Sequence, residues 1–578
     1  MEPEEFARSA YAARPWTKRY DPGVPSTLTY PETTLPELLL ERANEHPERP
    51  AVIFYNRVLT YRRLAEASRR FASALASLGV RPGDRVALLL PNTPQFVIAY
   101  YGALLAGAVV VPTNPLYVAP EVERQLCDAG AKVIVTLSKF LPTVQAVRER
   151  TPLEHVIVTN IKEHFPLVLR LVFTVAKERR DGHRVRAPRD GRTHWLPELL
   201  RRAPDAAPSV ERSPDDLALL QYTGGTTGLA KGAMLTHRNL IANLCMAWAW
   251  QPAPSAQRRG YGVVMGVLPL FHTYGMSQVM NIAIVRGDAM VLVPRFEPLL
   301  VLKAIKRHRP NAFPGVPTLY TALNNFPGVE KFEPRCIDVC ISGASALPVE
   351  VKRRFEELTG AKLVEGYGLS EAAPVTHCNP VNGPNRAGSI GLPFPDTDAA
   401  VVDQERGERL MPVGEVGELV VRGPQVMPGY WNRPEESAAA LRRGWLHTGD
   451  LARMDEDGYF WIVDRKKDVI ISGGFNVYPR EVEEPLYAHP KVREAVAVGV
   501  PDERWGEMVK VYVVLKQGES ATEREVVDYC HARMAAYKVP KAVEFRPELP
   551  KSMIGKVLRR ALREEEAARR AGQVEEVG

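Results

Sequence analysis

Tyr222-Thr223-Gly224-Gly225-Thr226-Thr227-Gly228-Leu229-Ala230-Lys231-Gly232 gathers four glycines, three threonines and one lysine. A backbone of this composition can wrap closely around phosphate oxygens. Glycine lets successive N–H groups converge on one anion, threonine hydroxyls add donors, and lysine offsets negative charge. The apolar run Leu217-Ala218-Leu219-Leu220 before it reads as a strand that delivers the loop, so the segment points to nucleotide chemistry in an α/β layer. A Walker-type loop needs Gly-Lys followed by Ser or Thr. Here Gly232 and Ala233 follow Lys231 and no glycine immediately precedes it, which disfavours a kinase or GTPase.

Outward from this loop, short β-branched runs such as Lys132–Thr136 and Ala289–Val293 alternate with amphipathic helical segments, predicting parallel α/β layers. No charged residue occurs from Val86 to Pro120, but the prolines break the stretch into a strand (Val86–Leu90), a helix (Gln95–Leu105) and a second strand (Ala108–Pro112). It reads as a buried βαβ unit rather than a membrane span. Beyond about Gly391 the texture turns to short strands and turns, predicting a smaller β-rich subdomain. The charged turn Asp464-Arg465-Lys466-Lys467-Asp468 suggests a hinge, dividing the chain into 1–463 and 464–578, the second a small mobile α+β domain. The residues beyond Arg563 read as a frayed helix.

A chain of 578 residues with 45% hydrophobic and 25% charged residues exceeds one core and is globular. The net charge of +7 is mild and does not imply nucleic-acid binding. Six cysteines are scattered singly, and Cys336-Ile337-Asp338-Val339-Cys340-Ile341 alternates like a strand, so Cys336 and Cys340 are expected as buried thiols, and the pattern fits a reducing cytoplasm. The acidic start, Met1-Glu2-Pro3-Glu4-Glu5, lacks an apolar signal core. Residues 162–192 carry nine Lys or Arg against four Asp or Glu around the apolar run Phe165–Phe173. Two readings stay open for it: peripheral contact with the inner face of the cell membrane, or a helix covering part of the core.

Five further segments join the loop: Phe271-His272-Thr273-Tyr274-Gly275, Glu365-Gly366-Tyr367-Gly368-Leu369-Ser370-Glu371, Trp445-Leu446-His447-Thr448-Gly449-Asp450, Asp464–Pro479 and Pro550-Lys551-Ser552-Met553-Ile554-Gly555-Lys556. Together, in this order, they resemble the acyl-adenylate-forming superfamily, with wording similar to bacterial long-chain fatty-acid–CoA ligases. The resemblance implies two steps. A carboxylate attacks the α-phosphate of ATP, giving acyl-AMP and pyrophosphate, and the thiol of coenzyme A then displaces AMP.

It also implies roles. Thr223 and Glu371 match the positions that hold Mg2+, and Gly224, Gly225, Thr226, Thr227, Gly228 and Lys231 those around the phosphates. Tyr367 matches the residue that stacks on adenine, Glu365 and Gly366 line that slot, Gly343 and Ala344 face it, and Ser370 stands near the α-phosphate. Asp450 and Arg465 match the ribose contacts, and Lys556 the lysine required for adenylation. Domain alternation about Lys467 would withdraw Lys556 and bring Ser472, Gly473 and Gly474 to the pantetheine arm.

For the acyl group the resemblance implies walls at His272, Thr273 and Met276, with Gly315, Val316 and Thr318 opposite. His272 reads either as a core histidine or as a catalytic gate between the acyl and thiol channels. No acid lies beside Phe271, which disfavours amino-acid substrates, and Met276 stands where some long-chain relatives place a tryptophan gate. The expected substrate is a medium- to long-chain fatty acid. Rival readings are an acyl-AMP ligase loading a carrier protein, activation of another apolar or aromatic acid, and a non-catalytic fatty-acid binder. A homodimer is the oligomer left open.

Overall fold

The computed structural model describes residues 3–188, 190–223, 230–251, 260–466, 468–472, 475–502, 505–552, 555 and 557–575. Of the expected site residues, Gly224, Gly225, Thr226, Thr227, Gly228, Lys467, Gly473, Gly474 and Lys556 lie outside them.

The first sheet has seven strands. Their order is Thr193–Trp195, His155–Thr159, Ala131–Leu137, Arg85–Leu89, Val109–Pro112, Leu217–Thr223 and Lys231–Thr236, all parallel except the last pair. The uncharged stretch is the βαβ unit the sequence implies. Its helix, Pro94–Leu105, starts on a proline, whose missing N–H would be unpaired there anyway, and all its residues are buried. A helix apolar all round needs protein on every side. Here the helix Tyr61–Ser77 lies against it, with Phe71 so close to Gly102 that a methyl there would sit 2.7 Å from the Phe71 ring.

The second sheet runs Val263–Gly266, Ala289–Leu292, Pro50–Phe54 and Arg57–Thr60. Bridges through Ala312 join it to a third, Val339–Ser342, Lys362–Gly368, Val375–Cys378 and Leu392–Pro393. The β-rich subdomain follows as Asp398–Val402, Gly417–Arg422, Trp445–Met454 and Leu441–Arg442, with Phe460–Arg465 added on Trp445–Met454. From Ile470 onward a five-stranded sheet carries the helices Pro479–Tyr487 and Glu523–His531.

Two expectations need correction. The strand near Cys336 begins only at Val339, because the Ile337 N–H turns back to the Pro334 carbonyl; Cys340 is buried but Cys336 is partly exposed. The C-terminal helix starts at Arg559 and is anchored as far as Glu566 rather than fraying from Arg563. Leu562 is buried, and Glu566 accepts hydrogen bonds from Tyr512 Oη at 2.7 Å and Lys510 Nζ at 2.6 Å.

Candidate active site

The strands Leu217–Thr223 and Lys231–Thr236 pair antiparallel, and the register sets Thr223 opposite Lys231. Both therefore stand at the two ends of the glycine-rich turn. The second strand has another neighbour, Gly429–Trp431. The Met234 N–H donates to the Gly429 carbonyl at 3.0 Å and the Trp431 N–H to the Gly232 carbonyl at 2.8 Å. This pairing delivers Tyr430, whose hydroxyl donates to Glu371 Oε1 at 2.8 Å. Lys231 Nζ lies 5.4 Å from the centre of the Tyr430 ring. Burial, followed by the Glu371 carboxylate, pushes the Tyr430 phenol far up, so it stays protonated and remains a donor.

Glu371 sits in the short helical turn Ser370–Ala372 that closes the strand Lys362–Gly368. The same turn touches the expected acyl wall: Ser370 Oγ and Thr273 Oγ1 are 2.9 Å apart, and Ser277 Oγ donates to the Ala373 carbonyl. His272 caps the next turn, its Nδ1 accepting from the Tyr274 N–H at 3.3 Å. Met276 is fully buried. Across from it, Gly315 bridges to Ser342, and Val316 opens the helix Pro317–Asn324 that carries Thr318. Glycine is required here by the chain's own aromatics: a methyl on Gly343 would fall 3.0 Å from the Tyr274 ring, and one on Gly315 2.7 Å from Tyr320 Oη. Ala344 adopts a left-handed backbone at φ 67°, which turns the chain away at the end of this wall.

Parallel pairing of Val339–Ser342 with Lys362–Glu365 places Ser342 beside Glu365. Burial pushes the Glu365 carboxyl up to about 7, against the opposing pull of Arg480, and its Oε2 has no hydrogen-bond partner among the described residues. Gly366 follows beside Cys378. Next along the strand, Tyr367 donates from its hydroxyl to Asp450 Oδ2 at 2.6 Å, so the residue expected against adenine also fixes the residue expected at the ribose. Asp450 and Arg465 are cross-strand partners, with Arg465 Nε 3.6 Å from Asp450 Oδ1. Ser472 is buried in the C-terminal sheet opposite Phe475.

Of the expected residues that are described, all but Ser472 cluster around the edges of three sheets, while Ser472 stands apart in the C-terminal sheet. Thr223, Lys231 and Glu371 share one end, joined through Tyr430. Ser370, Thr273 and His272 lead from it to the acyl wall, and Tyr367, Asp450 and Arg465 form the other side. Gly555 belongs with the acyl wall although it is distant in sequence. It lies so close to Thr318 that a methyl there would collide with the threonine hydroxyl.

Three participants escaped the sequence reading. Tyr430 lies in a turn-like Gly-Tyr-Trp, and nothing local ties it to a glutamate 59 positions earlier. Glu418 is buried and accepts from Lys466 Nζ at 3.1 Å and the Gly449 N–H at 3.2 Å, with His447 Nδ1 at 3.5 Å. Burial works against its charge, but His447 and Lys466 outweigh that and hold it below the usual carboxylate range. Gln278, on the widened helical turn Met276–Asn281, opens on a small cavity walled by Val264, Ile282, Ala312, Pro314 and Val339. Neither Gln278 Nε2 nor Oε1 has a partner among the described residues.

The pattern described as "AMP-binding enzyme" matches residues 39–431, and that described as "AMP-binding enzyme C-terminal domain" matches residues 481–556. The chain belongs to the AMP-binding enzyme family. It is 46% identical to a protein of Bacillus subtilis (strain 168) named long-chain-fatty-acid–CoA ligase, over 96% of this chain and 98% of that one. It is 42% identical to a protein of the same name from Escherichia coli O6:H1, over 95% and 98% of the two chains. Among solved structures, an anthranilate CoA ligase in complex with anthranoyl-AMP superposes with a TM-score of 0.83 at 28% identity, covering 94% of this chain and 99% of that one. The mixed α/β architecture, a large region followed by a small C-terminal one, is therefore that of the family.

Proposed function

We propose that the chain is an ATP-dependent fatty-acid–CoA ligase, making acyl-AMP and pyrophosphate and then acyl-CoA and AMP. The observation that carries this reading is the Tyr430 link, which joins the strand leaving the glycine-rich turn to the Glu371 carboxylate. Relatives bearing the ligase name at 42–46% identity over nearly the whole chain support it.

A carboxylate is a poor acyl donor because oxide would have to leave, whereas AMP leaves readily. In the first step a carboxylate oxygen bonds to the α-phosphorus as the bond to the β-phosphate oxygen breaks. Two anions meet, so the site must hold positive charge and donors where charge develops. Lys231 and the threonines of the turn are the groups of this chain for that task. Glu371 and Thr223 offer hard oxygen ligands, a donor set that suits Mg2+ completed by phosphates and water. When bound, the ion neutralises phosphate charge. Asp450 is aimed by Tyr367 and Arg465, which suits a carboxylate that accepts ribose hydroxyls.

Lys556 is assigned the adenylation role. The contact of its neighbour Gly555 with Thr318 supports docking of that loop at the acyl wall. The division at 463/464, with Lys467 as the hinge and Ser472, Gly473 and Gly474 meeting the pantetheine arm in the second step, belongs to the same reading. So do a cytoplasmic location and peripheral membrane contact through 162–192. The small cavity beside Gln278 is lined by Gln251, Arg286, Asp288 and Asn311 as well as by apolar side chains, which makes chain length the property to measure.

The test is AMP formation from straight-chain saturated acids of increasing length, with and without coenzyme A. Acyl-CoA and AMP should form together, with a maximum among medium or long chains. Acyl-AMP that never passes to coenzyme A would favour the carrier-loading reading, and no AMP with any acid would refute the ligase reading.

A further inference from the structure

The helix Leu167–Ala176 turns its apolar side outward. Leu167, Val168, Leu171, Val172 and Val175 are 82%, 76%, 67%, 52% and 81% exposed, while Phe173 is buried. Positions i, i+1, i+4, i+5 and i+8 form one stripe of a helix, so the five side chains share a face. A helix that covers a core buries such a stripe, and this one presents it to solvent.

The charge around the stripe is sorted. Arg170, Lys177, Arg179, Arg184 and Arg186 are exposed. The acids of the segment are engaged within the protein. Glu178 meets Lys162 at 2.6 Å and Asn160 at 3.0 Å, Glu163 accepts from the Asn160 N–H at 3.0 Å, Asp181 pairs with Arg180 at 3.0 Å, and Asp190 with Arg148 at 2.5 Å. The outward field is therefore positive.

We propose that this face is a docking surface for an anionic phospholipid bilayer. Apolar side chains enter the acyl boundary while the surrounding guanidinium and ammonium groups meet phosphate headgroups. A second copy of this chain fits poorly, since a twofold contact would set the same cations against one another. Ten residues rise about 15 Å, half of a hydrocarbon core of about 30 Å, so the helix lies on the surface and does not span.

A relay of contacts runs from the surface towards the acyl wall. Phe173 packs edge-on against Phe165 with ring centres 5.4 Å apart, and Phe165 stacks on Phe54, in the strand beside Ala289–Leu292. The Asn160 carbonyl, a few residues before this helix, accepts from Gln95 of the helix Pro94–Leu105, and Asn92, just before that helix, donates to the Gly266 and Leu268 carbonyls just before Phe271. The placement deepens the ligase reading, in which the acid is a lipid, but bilayer binding itself needs no catalysis.

The experiment is flotation of the full chain with phosphatidylglycerol/phosphatidylcholine vesicles and with phosphatidylcholine alone, at low and high salt. The wild type should float with the anionic vesicles and lose most of that binding in salt. Leu171→Asp with Val175→Asp should lower the bound-to-free ratio about tenfold or more. Arg179→Glu with Arg184→Glu should remove the preference for phosphatidylglycerol. Both pairs are exposed, and both should ligate a soluble octanoate at the wild-type rate. Unchanged flotation of the aspartate variant, equal binding to both vesicles, or a dimer in solution that the aspartate variant dissolves would overturn the proposal. Flotation without any ligation would instead count against the ligase reading alone.

Discussion

Between Phe6 and Phe460 the buried apolar side chains form one large cluster and a smaller one from Ala87 to Tyr222, whereas from Ile470 onward they form two clusters of their own. None of these clusters spans the join. Among the described residues polar contacts cross it: Arg480 donates to the Ile462 carbonyl at 2.8 Å and to the Gly388 carbonyl at 3.4 Å, and Arg559 reaches Asp464, on the strand Phe460–Arg465, at 4.0 Å. Apolar burial is lost only by exposing surface to water, while a partly exposed ion pair exchanges its partner for water at about 0–1 kcal/mol. A core therefore fixes a site, and under the proposed reading the polar seam is where the C-terminal unit would turn. Glu371, Tyr367 and Asp450 stand on the core-backed side, and Gly555 meets Thr318 from across the seam.

The largest expected effect strikes the fixed side. Glu371→Gln should lower pyrophosphate release roughly 10²- to 10³-fold, with thermal melting unmoved. A loss shared equally by melting and rate would make Glu371 structural and erase the distinction.

Glu365 sharpens it through pH. Burial raises its carboxyl from 4.5 to about 7, so the folded state holds a proton that the unfolded chain has released. Stability should thus fall as pH rises from 4.5 towards 7 and level off above. Against Glu365→Gln, the wild type should lose roughly 2–3 kcal/mol across that window in denaturant titrations. Parallel curves would contradict the buried assignment.

At the seam, Arg559→Met leaves Glu483 and Asp464 without its guanidinium, while Asp468 keeps Arg563, and the C-terminal unit should lose about 1–2 kcal/mol. Limited proteolysis should quicken within 470–575 while the large region melts as before. Equal destabilisation of both would mean that the join is part of one core. The smallest effect is expected at Tyr430→Phe. Loss of one hydrogen bond, about 1 kcal/mol, should raise the Mg2+ concentration for half-maximal pyrophosphate release about fivefold.

The strand before the glycine-rich turn and the uncharged βαβ unit were legible because period and charge are local properties of sequence. The contacts of Tyr430 with Glu371 and of Gly555 with Thr318 were not, since each joins strands or loops far apart in sequence. Glu418 reads as one more surface acid until Lys466 and Gly449 are found against it. The run Phe165–Phe173 predicted a helix equally well on a core or on a lipid surface. Only the exposure of Leu167 and Val175 separates the two.

The central claim is that Thr223, Lys231, Glu371 and Lys556 act on one ATP molecule to activate a carboxylic acid. Exchange of labelled pyrophosphate into ATP, measured without coenzyme A, tests it most directly. Exchange should appear only when a fatty acid and Mg2+ are both present, and should collapse in Lys556→Ala. No acid-dependent exchange in the wild type, or full exchange in the alanine variant, would contradict the account.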